Sequence, residues 1–464
     1  MSTQFQTISP VDNSIYVERE YATGEQIQTA LEEAQKAHIY WKNVPLTQRV
    51  QLCTQAIELL KTKQDQLARE ICWQMGRPIV HAGGEINGVI ERAEYMLSIA
   101  ESALAPIQVP GNHTRIRYIQ KEPLGVVLLI APWNYPYLTA INTLIPALVA
   151  GNTVIIKHST QTPLCAERLV EIFLEAGFPD SVFQYLHLTH AGCEQVIEHP
   201  AINFVAFTGS VAGGRSIASS SAQYFKGVGL ELGGKDPAYI REDADLATAV
   251  ASVMDGVFFN AGQSCCGIER IYVHKAVYHD FVEAACQWVK ALNLGRPDEL
   301  ATTLGPMISK QAATAVRSQI KEAVACGATM LIDEFKYALS QPGTPYLAPQ
   351  LLVNVNHSMS IMNEESFGPV AGIMFVDNDD EAVYLMNDSD YGLTAAIYTQ
   401  DINVAKSLGE RLETGTVFMN RCDYLDPALA WTGVKDSGRG CTLSLLGYDQ
   451  LTQPKSYNLQ LAEA

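Results

Sequence analysis

The apolar positions of the chain follow two rhythms. Over residues 23 to 104 they recur at helical spacing. Thr23-Gly24-Glu25-Gln26 opens an Ala-, Gln- and Glu-rich segment, and residues 46 to 74 carry a further apolar face, which together predict a helical framework. Over 107 to 119 the pattern turns to alternation around Pro110-Gly111-Asn112, with Arg115, Arg117 and Tyr118 interleaved with Ile116 and Ile119. That is a hairpin signature, and a protruding hairpin either meets a neighbouring subunit or faces solvent.

Beyond it, short apolar runs alternate with amphipathic ones. Strands are predicted over 126–131, 153–157, 182–188 and 203–207, and helices over 137–150, 163–176 and 191–199. Nearly continuous apolar strands separated by helices indicate a doubly wound α/β domain whose parallel sheet is covered on both faces. Ligands bind such sheets at the carboxyl ends of strands, so the loops at 131–136, 157–162 and 208–214 are the places to search. The second half repeats the alternation, with helices over 246–258, 277–292 and 310–326 and strands over 270–274 and 372–376; a last strand is expected over 453–461.

One run could be mistaken for a membrane span. Residues 123 to 156 carry no charged side chain, but Pro132, Pro136, Pro146, Asn134, Asn142, Gly151 and Asn152 would break a single helix into strand, turn, buried helix and strand.

Composition narrows the partners. A chain of 464 residues with 47% apolar and 18% charged positions can bury two or three cores, and its formal charge of -18 argues against nucleic acid or an anionic membrane surface. A small molecule is the expected partner. The ten cysteines are scattered without C-x-x-C spacing, so no metal site is expected and reduced thiols in a cytoplasm fit best. Residues 1 to 16 lack a basic region followed by an apolar core, which speaks against a secretory signal.

Four stretches carry candidate chemistry. Phe258-Phe259-Asn260-Ala261-Gly262-Gln263-Ser264-Cys265-Cys266 places two thiols after a glycine on an expected loop, where a cysteine can serve as a nucleophile or be inert packing. The loop Thr208-Gly209-Ser210-Val211-Ala212-Gly213-Gly214 stands between strand and helix, where glycines let backbone amides approach a phosphate. Glu231, before Leu232-Gly233-Gly234, puts a carboxylate at the end of an apolar strand, as a general base or a salt-bridged strand end. The fourth, Asn363-Glu364-Glu365-Ser366-Phe367-Gly368-Pro369-Val370, sets two carboxylates and an aromatic before a Gly-Pro turn.

Taken in order, the chain resembles the NAD(P)-dependent aldehyde dehydrogenase superfamily from about residue 8 to 460. The resemblance rests on Pro132-Trp133-Asn134-Tyr135-Pro136, Gly151 through Lys157, Phe207-Thr208-Gly209-Ser210, Glu231-Leu232-Gly233-Gly234 and Gly262-Gln263-Ser264-Cys265. Glu365-Ser366-Phe367-Gly368-Pro369 and the Gly433 to Gly440 loop complete the set. It implies an α/β fold with a Rossmann-type cofactor domain (1–104 and 124–232), an α/β catalytic domain (233–440) and a small β oligomerisation element (105–123 and 441–464) in a homodimer or homotetramer. By position, Cys265 resembles the nucleophile, with Cys266 a neighbour in the wall. Asn134 resembles the oxyanion donor and Glu231 the base that activates water for thioester hydrolysis. Pro132, Trp133, Lys157, Ser159, Thr160, Thr208, Gly209, Ser210, Gly214, Leu232, Glu365 and Phe367 would contact NAD or NADP, the last two around the nicotinamide ribose and ring.

Departures from the family pattern bear on specificity. Thr160 stands where members strict for NAD often have a Glu, which leaves room for NADP. Thr143 stands nine residues after Asn134, where a Lys or Arg is common, which weakens an anionic semialdehyde as substrate. Tyr135, Leu138, Asn142, Phe259, Leu425 and Trp431 would line an aromatic, neutral pocket. An apolar or aromatic aldehyde is expected first and an amino aldehyde second, because Tyr135 and Trp431 match two members of an aromatic box. Arg421 and Asp423 lie nearby without an assigned role. Three competitors stay open: a CoA-acylating enzyme, which Glu231 argues against; a cysteine hydrolase, with His274 the nearest histidine in sequence; and an inactive binding protein.

Overall fold

We describe a computed structural model in which residues 3–110 and 114–461 are placed. A small hairpin, Gln4–Ile8 with Ile15–Glu20, precedes the helical framework Gly24–Trp41, Leu46–Thr62, Gln64–Met75 and Ile79–Leu104. Thr23 opens the framework with the capping box its sequence suggests, its hydroxyl accepting from the amide of Gln26 while the Gln26 side chain accepts from the amide of Thr23.

The first α/β unit is a 6-stranded sheet in the order Gly438–Arg439, Gly227–Glu231, Ile202–Thr208, Val126–Ala131, Thr153–His158, Phe183–Tyr185, parallel except for its antiparallel first edge. Successive strands spread outward from Val126–Ala131 in both directions, so the topological switch point lies between that strand and Ile202–Thr208. Ligands of doubly wound sheets bind at such a point. The uncharged run from 123 to 156 folds as strand, Pro-started helix Pro136–Ala150 and strand, all within the core. Among the described residues no helix is long and apolar enough to cross a membrane.

A 7-stranded sheet forms the second unit, in the order Thr329–Met330, Gln350–Val353, Val370–Val376, Ile268–His274, Asp236–Ile240, Thr394–Tyr398, Thr416–Met419. The third is the arm: Arg115–Pro123 pairs antiparallel with Ile107–Gln108 on one side and with Thr452–Gln460 on the other. Residues 111–113 of the expected turn lie outside the described residues.

Three expectations need correction. The strand expected over 182–188 pairs only over Phe183–Tyr185; it lies at the sheet edge with one neighbour, the Leu186 amide makes the last bond to Ile156, and Leu188 lies beyond the ladder while staying buried. The stretch 208–214 is only half loop, because Ser210 caps a helix that begins at Val211. The glycine-spaced loop of 431–440 is instead a stitch between units: Gly438–Arg439 adds to the Gly227–Glu231 edge, and Val434–Lys435 pairs with Tyr391–Gly392 in the second unit. Helix Ser444–Gln450, which follows it, packs on the framework, with the Tyr448 hydroxyl donating to the carbonyl of Met96 at 2.8 Å.

Candidate active site

The cysteine loop owes its shape to three consecutive left-handed residues. Asn260, Ala261 and Gly262 have φ of 54°, 56° and 69°, the first two strained for residues with a Cβ. At Gly262 a Cβ would fall 2.1 Å from the carbonyl oxygen of Gly368, so only glycine fits against the segment that carries Glu365 and Phe367. Asn260 offsets its strain with hydrogen bonds: its amide donates to the carbonyls of Asn134 at 3.1 Å and Gln263 at 3.2 Å. Gln263 fixes the other side by donating to the Asn260 carbonyl and accepting from the amide of Ile308.

Beneath the loop lies a buried ion pair that sequence reasoning did not single out. The Arg77 guanidinium pairs with Glu85, donates to Asn260 Oδ1 at 3.1 Å and reaches the carbonyl of Asn134 at 2.6 Å. The other oxygen of Glu85 accepts from the amides of Tyr137 and Leu138, the open N-terminus of helix Pro136–Ala150. One carboxylate therefore holds the arginine and the start of the helix together. Its only sequence signal was two charged residues in an otherwise framework-like segment.

Cys265 is half-buried and lines a cavity of about 430 Å3 at the junction of the two large units. Asn134 points its amide at the same loop, donating to the Gln263 carbonyl at 3.2 Å. Glu231, at the end of its strand, accepts from Thr208 at 3.1 Å and from Thr442 at 2.5 Å, and burial raises its pKa. Cys266 is buried, its thiol directed at Asp423 Oδ1, 3.0 Å away, and its pKa is pushed up by the hydrogen bond with Cys265 and by burial. Asp423 also accepts from Ser264 at 2.8 Å, and burial lifts its pKa to about 6. All six expected pocket residues, Tyr135, Leu138, Asn142, Phe259, Leu425 and Trp431, line the cavity. The expectation of a neutral pocket does not hold, because Arg77, Glu85, Glu91, Arg92, Asp255 and Asp423 line it as well. Arg421 is not among the lining residues; its guanidinium stacks on Tyr424 instead. His274 stands beside Glu242, and no described lining residue is a histidine that could serve a cysteine hydrolase.

The residues expected to hold the dinucleotide gather at the switch point. Pro132 and Trp133 follow one switch strand, and Gly209 and Ser210 follow the other. A Cβ on Gly209 would strike the Phe207 ring at 2.6 Å, and one on Gly214 would strike Leu232 at 2.6 Å, so this turn lies flat against the sheet end. Lys157 ends the next strand; burial lowers its pKa, and among the described residues its ammonium has no hydrogen-bond or ion-pair partner. Ser159 and Thr160 follow in the same loop, both half-buried. Across the cleft, Glu365 accepts from the amide of Gly234 at 3.1 Å and is raised to about 7 by burial and by nearby Glu269. Phe367 stands edge-on to Trp133, ring centroids 5.6 Å apart. An unpartnered lysine, a glycine turn before a capped helix and a buried carboxylate acceptor fit a dinucleotide with phosphates and ribose hydroxyls.

A doubly wound sheet facing a second α/β unit, with a cysteine in the cleft between them, defines a cysteine-bearing nicotinamide-type oxidoreductase. The chain belongs to the aldehyde dehydrogenase family, whose model matches residues 1–457. It is 35% identical over 453 residues to a succinate-semialdehyde dehydrogenase [NADP(+)] of Deinococcus radiodurans, covering 97% of this chain and 94% of that one. Among solved structures, an aldehyde dehydrogenase from Brucella melitensis biovar abortus matches with a TM-score of 0.95 at 29% identity, covering 99% of this chain and 95% of that one. Betaine aldehyde dehydrogenase from Staphylococcus aureus, in complex with NAD+, matches at 0.93 and 28%, covering 100% and 93%. The protein is thus an oxidoreductase that oxidises aldehydes with NAD or NADP.

Proposed function

We propose that Cys265 is the nucleophile, Asn134 the oxyanion donor and Glu231 the general base of this oxidation, which ends in a free carboxylic acid. The observation that carries the reading is their convergence: all three come from different elements, and Cys265 and Glu231 line one cavity while the Asn134 amide is bonded to the cysteine loop. The Cys265 thiolate adds to the carbonyl carbon to form a thiohemiacetal alkoxide. Asn134 Nδ2 and the Cys265 backbone N–H hold that oxyanion, a donor being worth about 3 kcal/mol of barrier in comparable sites. When bound, NAD(P)+ supplies the acceptor for the hydride that leaves the substrate carbon. Glu231 then takes a proton from water as it attacks the thioester, and the acid departs as the Cys265 sulfur is released. Burial suits Glu231 to this task by making it a stronger base than an exposed carboxylate.

Lys157, Ser210 and the Gly209 to Gly214 turn would hold the adenosine end of the cofactor, and Glu365 with Phe367 the nicotinamide end. Tyr135, Leu138, Phe259, Leu425 and Trp431 supply an apolar wall for the substrate stem. An amino aldehyde would meet two guanidinium groups here, Arg77 stacked 4.4 Å from the Tyr135 ring centre and Arg92. The activity of the Deinococcus relative favours a semialdehyde instead. The 6-stranded, 7-stranded and arm sheets support a cofactor domain over 1–104 and 124–232, a catalytic domain over 233–440 and an arm over 105–123 and 441–464, apart from helix Ser444–Gln450, which packs on the first core. The exposed Ile107, Ile116 and Leu459 of the arm support a homo-oligomer, which sedimentation as a monomer would contradict, and ten free cysteines support a reducing cytoplasm. The central test is Cys265→Ala, which should abolish formation of reduced cofactor while dinucleotide still binds; undiminished turnover would refute the assignment.

A further inference from the structure

Among the charged side chains that helix Ile79–Leu104 turns into the cavity, Arg92 is the cation. Arg92 is only 7% exposed. Its Nη1 donates to the carbonyl of Leu138 at 3.3 Å and to Asn142 Oδ1 at 3.0 Å. Among the described residues its Nε and Nη2 have no hydrogen-bond partner, and it makes no ion pair. Two donors of a buried guanidinium left without acceptors are unfavourable unless a ligand completes them.

Glu231 and Glu85 act on Arg92 through their charge, but neither accepts a hydrogen bond from it, and their oxygens are held by other donors. Glu85 is taken by Arg77 and by two helix amides, Glu231 by Thr208 and Thr442, and Asp423 by Ser264 and Cys266. Glu91 and Asp255 are exposed at the rim, where water screens them, and Glu91 accepts from the Tyr424 hydroxyl at 2.8 Å. Arg77 is itself fully engaged.

Building on the assignment of Cys265 as the aldehyde-oxidising nucleophile, we propose that Arg92 binds the carboxylate of a semialdehyde, its Nε and Nη2 facing the acid while the aldehyde carbon lies at Cys265. The planar fork of a guanidinium matches the two oxygens of a carboxylate. Asn142 becomes a positioning residue that fixes the plane of the fork through Nη1. The apolar wall then houses the methylene stem. This charge comes from a different helix than Thr143, the position whose neutrality argued against an anionic substrate, and so restores the cation by another route.

The test is steady-state kinetics at saturating cofactor with succinate semialdehyde, its methyl ester and benzaldehyde. Acid and ester share the reacting carbon and the stem and differ in charge. The native enzyme should favour the acid over the ester by about 10- to 100-fold in kcat/KM. Arg92→Gln should reduce that ratio at least about tenfold, through KM for the acid, and Arg92→Lys should restore part of it. A native ratio near one overturns the proposal, as does an equal fall for acid and ester in Arg92→Gln, the mark of a merely structural role. Independently of any variant, succinate should inhibit ester turnover competitively and succinamide should not; equal inhibition by the two also overturns it. Turnover of benzaldehyde alone refutes the Arg92 assignment and leaves aldehyde oxidation standing, whereas no turnover with any of the three brings down the Cys265 reading as well.

Discussion

The hydroxyl of Thr442 donates to one carboxylate oxygen of Glu231 at 2.5 Å, tying the residue proposed as base to a stretch that begins after the stitch between the two units. Thr208 holds the other oxygen from the adjacent strand. Both bonds favour the ionised form and oppose the upward push of burial on its pKa.

Removing one of them should therefore shift the titration. In Thr442→Val the Glu231 pKa rises further, so the acid limb of the kcat profile moves to higher pH. The measurement is kcat against pH, with hydrolysis of the acyl enzyme followed in single turnovers. An unmoved limb would show that Thr442 does not tune the base.

Glu365 should make cofactor binding pH-dependent. Its pKa is raised to about 7, by burial first and then by Glu269, so it gains a proton as pH falls through that value. A protonated carboxyl accepts ribose hydroxyls less well, and the Kd for NAD should rise about tenfold between about pH 8 and 6. Folding follows the same sign. A carboxyl whose folded pKa lies above its ordinary 4.5 binds its proton more tightly when folded, so its contribution to stability falls as pH climbs from 4.5 to about 7. Glu365→Gln should flatten both dependences, as titration calorimetry and thermal melts across that range would reveal.

Arg77 and Glu85 should be far more sensitive singly than jointly. Their side chains are 1% and 0% exposed, so Arg77→Ala or Glu85→Ala strands an uncompensated charge, at a cost of about 3 to 5 kcal/mol. The double variant should lose less than the sum, measured as a denaturant double-mutant cycle. Activity should drop in each, because the pair anchors the Asn134 carbonyl.

The two adjacent thiols should differ in reactivity. Cys266 is buried against Asp423 with a raised pKa, whereas Cys265 opens to the cavity. Brief iodoacetamide treatment should modify Cys265 and spare Cys266, which fragment-ion mass spectrometry can separate. Equal labelling would contradict the assignment of Cys266 to the wall.

Much of the fold was legible in the apolar rhythm. Strand 126–131 and helix 246–258 were read at their observed bounds, since both are long, apolar and closed by clear punctuation. In the candidate site, Cys265 and Glu231 stood out as residue types unusual for their place, whereas the six wall residues followed only from the family resemblance by position. Arg77, Glu85 and Arg92 were not legible, because a charge in a helical framework looks solvated until its neighbours are known; Pro136–Ala150 supplies partners for Glu85 and Arg92, and the Asn134 and Asn260 loops supply those of Arg77. The left-handed run at Asn260 and Ala261 was equally hidden, since neither residue type demands it.

The 3.2 Å bond between the Asn134 side chain and the Gln263 carbonyl joins one sheet's loop to the other's. The proposed nucleophile belongs to the unit of the 7-stranded sheet, and the proposed base and amide donor belong to that of the 6-stranded sheet. A hinge opening of one ångström along that seam would carry the bond past hydrogen-bonding range. The thiol would then be parted from the groups proposed to act with it.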